Sequence, residues 1–164
     1  MAKHDSIKII FVCHGNICRS PMAECMMADL LRKNGIDGVT VASAATSDEE
    51  IGNGIHPGAA RKLRQAGVPL LPHAAHQLTP AEAAGYDLII GMDAENLVIL
   101  RHAVFPEDRG KVHLLLDFSD NPRPIADPWF TGNFDETYND IAEGCAALLR
   151  HIMNLRKEKQ QCFT

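Results

Sequence analysis

Residues 11–24, FVCHGNICRSPMAE, decide how the chain is read. They leave an apolar run at Cys13, pass through Gly15 and Asn16, and set Arg19, Ser20 and Pro21 where a helix begins. The run at 7–12, IKIIFV, is short and nearly continuous, as in a central parallel strand covered on both faces. Beyond it Ser20 is expected as N-cap and Pro21 as first helical residue. Ala23, Met26, Met27, Leu30 and Leu31 then repeat at helical spacing until Asn34 and Gly35 stop the helix. Residues 13–20, CHGNICRS, therefore form a loop between a strand end and a helix N-terminus, where backbone N–H groups and the helix dipole favour an anion. Gly15 lets the backbone approach a ligand, Asn16 tolerates a left-handed conformation, and Arg19 offers a planar fork for two phosphate oxygens. The same field favours the thiolate of Cys13, which becomes a candidate nucleophile on the floor of the cradle. Ser20 has a hydroxyl suited to stabilising that thiolate or the departing sulfur. A cysteine alone at a strand end is usually inert packing. Cysteine, five residues, arginine and serine between a strand and a helix is a far more specific pattern.

Working outward, further strands are expected at 39–44, 87–92 and 112–116. A basic amphipathic helix ends at Gly67, another covers 95–103, and a last one runs over about 135–158. On that last helix Tyr138, Ile141, Ala142, Cys145, Leu148, Leu149, Ile152 and Leu155 share a face. Short apolar strands alternating with helices predict an α/β fold, a four-stranded parallel sheet flanked by helices on both faces in three layers. No repeat or linker divides the chain, so a single domain over 1–164 is expected. Ligands in such sheets bind beyond the carboxyl ends of the strands. Both the 13–20 loop and the proline-rich stretch DFSDNPRPIADPWFTGNF start from that edge. A structureless stretch of that length is uncommon unless functional.

The net charge of −5 carries no footprint for nucleic acid, and no apolar run is long enough to span a membrane. The N-terminal stretch MAKHDSIKIIFVC is too short in apolar residues for a signal peptide. Five cysteines, unevenly spread, argue against a disulfide framework and for a cytoplasmic protein with reduced thiols. The eight histidines form no metal-ligand spacing, and no metal is expected.

VCHGNICRSP at 12–21 resembles the active-site loop of the low-molecular-weight protein tyrosine phosphatases. SAATSDEEIGN at 43–53, HAAHQLT at 73–79, DLIIGMDAEN at 87–96 and DPW at 127–129 extend the resemblance over most of the chain. It implies hydrolysis of phosphotyrosine and aryl phosphates through a phosphocysteine, without a cofactor. Cys13 would accept the phosphoryl group, Arg19 would clamp its equatorial oxygens, and Asp127 would protonate the departing phenolate. His14, Gly15, Asn16, Ile17, Cys18, Arg19 and Ser20 would be the phosphate-binding loop, with Asn16, Ser43 and His73 supporting its shape. Glu49, Trp129 and Phe130 would form the substrate rim. Cys18 would close a reversible disulfide with Cys13 that protects the nucleophile. The substrates implied are phosphotyrosine-containing proteins, and the expected state is a monomer or a weak dimer. An Asp before Pro is more often turn chemistry than catalysis, so Asp127 rests chiefly on the resemblance.

The chain departs from the family pattern in three places. His14 stands where leucine is usual, His76 where arginine is frequent, and Glu49 where animal members carry an aromatic residue. Asp48, Glu49 and Glu50 together make an acidic rim that would favour basic substrate segments if it lines the cleft. Protein-arginine phosphatases of the same fold carry threonine at the position of Ile17, so that alternative is disfavoured. Arsenate reductases of this fold need a downstream cysteine pair, absent between Cys25 and Cys145. A non-catalytic phosphate-binding module would be expected to have lost Cys13, Arg19 or Asp127.

Overall fold

The structure is a computed structural model describing residues 6–162. The first residues of the N-terminal stretch read above for a leader, and the last two of the expected 1–164 span, lie outside the described residues. Four parallel strands, β1 (Ile7–Cys13), β2 (Val39–Ala45), β3 (Leu88–Gly91) and β4 (Val112–Leu114), form one sheet in the order β2-β1-β3-β4. The helices are α1 (Arg19–Lys33), α2 (Pro57–Gln65), α3 (Pro80–Ala84), α4 (Ala94–Ala103), α5 (Pro128–Thr131) and α6 (Phe134–Gln161). None of the described helices is long and apolar enough to cross a membrane.

The alternation of side chains along β1 assigns the layers. Ile9, Phe11 and Cys13 point into one core with Met22, Met27, Leu63, Ile141 and Leu148, beneath α1, α2 and α6. Ile10 and Val12 point into the other with Ala83, Leu100 and Val104, beneath α3 and α4. Five consecutive β1 residues, Ile9 to Cys13, are buried because both faces are covered. β1 lies between β2 and β3, so the chain leaves its carboxyl end toward opposite sides of the sheet. That switch point is where an open α/β sheet leaves a crevice.

Several boundaries differ from the sequence reading, each for a local reason. Ser20 does not cap α1; Cys18 holds that position without a side-chain bond, and the helix begins at Arg19. The Ser20 hydroxyl turns inward to Cys13 and Asn16 instead. β4 ends at Leu114, where the Asp117 carboxylate accepts the Leu114 N–H at 3.3 Å and winds 115–118 into a 3-10 turn. Leu115 and Leu116 are buried there, so their apolarity read as strand. The sequence reading missed α3 altogether, because five residues are too few to show a period. Its signal is chemical: Pro80 opens it and the Thr79 hydroxyl accepts the Glu82 N–H at 3.1 Å. α6 extends past the expected 135–158 at both ends, with the Asn133 side chain capping its start.

Gly144 on α6 lies against Leu115, and a Cβ there would collide with the Leu115 side chain. Gly144→Ala is expected to lower stability by about 1–3 kcal/mol through overpacking. The better helix propensity of alanine, worth up to about 1 kcal/mol, offsets only part of this. Urea unfolding of Gly144→Ala beside Gly110→Ala checks it, since Gly110 has open space around its Cα and its variant should unfold like the parent.

Candidate active site

Cys13 ends β1 with its Sγ 3.0 Å from the Ser20 hydroxyl and 3.4 Å from the Ser20 backbone N–H in the first turn of α1. Between them the loop folds around Asn16, fully buried and the only non-glycine residue with positive φ among those described (58°). That conformation is uncommon for an L-residue and persists only where the surroundings over-determine it. Here the Asn16 amide donates to Ser20 Oγ at 2.9 Å and Ser43 Oγ at 3.0 Å, and its oxygen accepts the His76 N–H at 3.2 Å. The Asn16 carbonyl accepts from His73 Nε2 at 2.6 Å, which assigns the proton to that nitrogen. Ser43 in turn donates to Glu24 Oε1 at 2.6 Å. Asn16, Ser43 and His73, the expected supporting residues, thus lie in one network under the loop.

The extended segment carrying His73 and His76 is held by the sheet. Ala45 at the end of β2 donates to His76 O and accepts from Leu78 N, both at 2.8 Å. The same segment ties down the acidic loop through two bonds of 2.8 Å, Gly52 N to Ala75 O and Ala75 N to Asn53 O. His76 also donates from Nε2 to Glu82 Oε2 on α3 at 2.7 Å.

Arg19 is 2% exposed and sits under three acceptors. Its Nη1 donates to Asp93 Oδ2 at 2.6 Å and to Ile125 O at 2.9 Å, and its Nη2 to Asp127 Oδ2 at 3.4 Å. Burial works against the Arg19 charge, but Cys13, Asp93 and Asp127 outweigh it and hold the guanidinium above its ordinary value. The Nε, buried, has no hydrogen-bond partner among the described residues. Of the five N–H donors of a guanidinium, Nε–H and one Nη2 hydrogen are therefore on offer to two oxygens of a ligand. Asp93 escaped the sequence reading although it lies inside DAEN. That pattern is explained as an N-cap, and Asp93 does cap α4 through Oδ1 at 2.8 Å while its other oxygen holds Arg19.

Asp127 combines turn chemistry with a place in the cleft. Its Oδ1 accepts the Trp129 N–H at 3.1 Å, capping the short α5, and Gly132 in the left-handed conformation ends that helix. The turn projects Trp129 and Phe130 outward, 60% and 84% exposed. The edge of the Trp129 ring meets His56, which also stacks on Phe134. The backbone N–H of His56 donates to Ile17 O at 2.8 Å, and its Nδ1 caps α2.

Cys13, His14, Gly15, Ile17, Cys18, Glu49, Glu50, Asp127, Trp129 and Phe130 line one cleft of about 140 Å³. His14 reaches across its mouth to donate from Nε2 to Glu49 Oε2 at 2.9 Å, so two departures from the family pattern are partners. Glu50 accepts from Asn53 at 2.5 Å. Cys18 is buried within the loop, and its thiol is pushed up to about 12 by burial and by the charges of Cys13 and Asp127.

A thiol in a strand-to-helix loop, at the switch point of a parallel α/β sheet and beside a buried arginine and an aspartate, makes this cleft the candidate active site of an α/β protein. The sequence model of the low molecular weight phosphotyrosine protein phosphatases matches residues 8–161. The low molecular weight protein-tyrosine-phosphatase YfkJ of Bacillus subtilis is 39% identical over 157 residues, covering 94% of this chain and 99% of its own. The YfkJ crystal structure superposes with a TM-score of 0.87 at 37% identity, over 91% of this chain and 96% of that one. The low molecular weight protein tyrosine phosphatase from Streptococcus pyogenes gives a TM-score of 0.80 at 35% identity, over 88% and 92%. A Drosophila arginine phosphatase gives 0.82 at 29%, over 88% and 97%. The chain belongs to the low-molecular-weight phosphotyrosine protein phosphatase family, and its activity is that of a protein tyrosine phosphatase.

The thiols differ in ways alkylation reads out. Cys162 is exposed, whereas Cys18 and Cys145 are buried and both pushed up to about 12, the latter by burial alone. Below about pH 10 both stay protonated and so unreactive. Iodoacetamide on the native protein should label Cys162 and leave Cys18 and Cys145 unmodified until urea is added, as peptide mass spectrometry will show.

Proposed function

We propose that Cys13 is the nucleophile, Arg19 the clamp on the transferring phosphoryl group, and Asp127 the general acid of this phosphatase. The observation that carries the reading is the buried Arg19, with donors free for ligand oxygens, set between the Cys13 thiol and the Asp127 carboxylate. The Cys13 thiolate attacks phosphorus as the bond to the aryl oxygen breaks, and Asp127 gives its proton to the departing oxygen. The products of this half are the phenol and an S-phosphocysteine. The Asp127 carboxylate then takes a proton from water as its oxygen attacks phosphorus and the S–P bond breaks. Inorganic phosphate leaves and Cys13 returns as a thiolate, which the Ser20 hydroxyl and N–H are positioned to receive.

Cys13→Ser should abolish turnover while retaining phosphate binding, because the cradle consists of backbone and Arg19. Asp127→Asn should lower kcat by about 10²–10⁴-fold on phosphotyrosine and far less on activated aryl esters, whose leaving groups need little protonation. Steady-state kinetics over a leaving-group series checks both. Residual turnover in pure Cys13→Ser sinks the covalent route, and equal losses across the series with Asp127→Asn remove Asp127 from the acid role.

The rim supports a finer reading of the substrate. Ile17 lines the cleft with an apolar side chain beside the phosphate loop, and Trp129 offers an aromatic face at the mouth. A phenyl ring gains from burial there, whereas a charged guanidino group loses its hydration. Phosphotyrosine is therefore preferred over phosphoserine, phosphothreonine and phosphoarginine, although one structural neighbour is a Drosophila arginine phosphatase. Glu49 and Glu50 line the same cleft, and the exposed Asp48 continues their charge, so basic residues beside the phosphotyrosine are favoured. Reversible closure of a Cys13–Cys18 disulfide belongs to the same proposal: peroxide oxidises the Cys13 thiolate to a sulfenic acid, the Cys18 sulfur displaces its hydroxyl as water, and external thiols reduce the disulfide again.

Matched phosphopeptides at two ionic strengths test the specificity through kcat/KM. Phosphotyrosine should lead, and basic flanks should help at low salt and lose their advantage as the Debye length shrinks. A lead for phosphoarginine overturns the Ile17 argument, and equal rates for basic and acidic peptides at low salt overturn the acidic rim.

A further inference from the structure

The stretch 119–127 brings Asp127 to the cleft without any regular backbone of its own. Its last residues are tied to the core: Ile125 N donates to Met92 O at 2.8 Å, Arg19 reaches Ile125 O, and Thr137 Oγ1 on α6 donates to Ala126 O at 3.1 Å. Its middle is tied to α6 by one side chain. Arg123 places Nη2 at 2.8 Å from Asp140 Oδ1 and Nη1 at 2.8 Å from Glu143 Oε2, with a second contact to Glu143 at 3.3 Å. It also donates to Asn121 O at 2.8 Å. Asp140 and Glu143, three residues apart, present both carboxylates on one face of α6. Hydrogen bonding to Arg123 holds the Glu143 carboxyl below its ordinary range.

An ion pair at the surface contributes little to stability as a rule. The chain around this one gives it another use. Pro122 and Pro124 flank Arg123, each with φ fixed by its ring, and Arg123 is itself held extended by the proline that follows. Arg123 and Pro124 thus set the course on which the backbone enters Ile125 and Ala126 and leads to Asp127. From Arg123 through α5 to Asp140 the chain closes on itself, and Asp127 lies inside that ring.

We propose that Arg123 is a positioning residue for catalysis: its clasp on Asp140 and Glu143 holds the 119–127 stretch so that the Asp127 carboxyl meets the leaving oxygen. The proposal rests on Asp127 as general acid. A general acid works only within hydrogen-bond reach of the oxygen it protonates, and small misplacements are felt strongly in rate. Phosphate binding, which belongs to Arg19 and the 13–20 loop, does not pass through the clasp.

The test compares Arg123→Gln, Asp127→Asn and the double variant on aryl phosphates of graded leaving-group acidity, with Arg123→Lys and an Asp140→Asn, Glu143→Gln pair as companions. Arg123→Gln should lower kcat on phosphotyrosine by about 3- to 10-fold, a fraction of the roughly 10²–10⁴-fold that a general acid supplies. It should leave activated esters and KM nearly unchanged, and add nothing in the Asp127→Asn background. The Asp140 and Glu143 pair should reproduce that pattern, and Arg123→Lys should recover part of the rate. An unchanged kcat, a loss uniform across the series, or a loss that persists at full size in Asp127→Asn overturns the clasp while the acid role stands. A uniform loss in Asp127→Asn itself overturns the acid role and the clasp with it.

Discussion

A guanidinium charge at 2% exposure is the constraint on which the site depends. Stripped of water, such a charge is stable only if carboxylates and carbonyls replace its hydration. Two separate pieces of chain converge to do this: Asp93 at the start of α4, and the stretch before α5 that supplies both Ile125 O and Asp127. Each arrives from the carboxyl edge of the sheet, which is why the sheet order matters to the chemistry.

The loop that carries Arg19 is rigid for a related reason. Asn16 adopts a left-handed backbone under the anion cradle, and every polar atom of its side chain is hydrogen-bonded in a water-free setting. A buried polar network that is fully satisfied specifies one geometry sharply. The loop N–H groups are therefore held in place before any ligand arrives, the condition for electrostatic preorganisation. Ser20 illustrates the priority of the site over the helix. It gives up capping α1 to face Cys13.

Around this fixed floor the rim is built from looser parts. The Glu49 side chain pairs with His14, both well exposed, while the Trp129 and His56 rings meet edge to face. Floor and rim thus differ in kind: deep, mutually bonded charges below, and above them surface groups whose interactions are weaker and more dependent on salt.

The sequence by itself determined the strands, most helices and the composition of the cleft. Continuous apolar runs announce buried parallel strands, and the run of residues 13–20 announces an anion loop, because these signals are local. Cys13, Arg19 and Asp127 were legible for that reason, the last through its family setting. Only the tertiary structure decided how distant residues share a function. Asp93 reads along the chain as a helix cap, yet its second oxygen meets Arg19, 74 positions away. Glu24 reads as a polar position on α1, yet it anchors Ser43 and through it Asn16. Arg123 and its partners on α6 are ordinary charges in sequence, and only their meeting closes the segment of chain that contains Asp127. Periodicity and capping follow from the backbone of a single segment, whereas compensation of a buried charge depends on which segments the fold brings together.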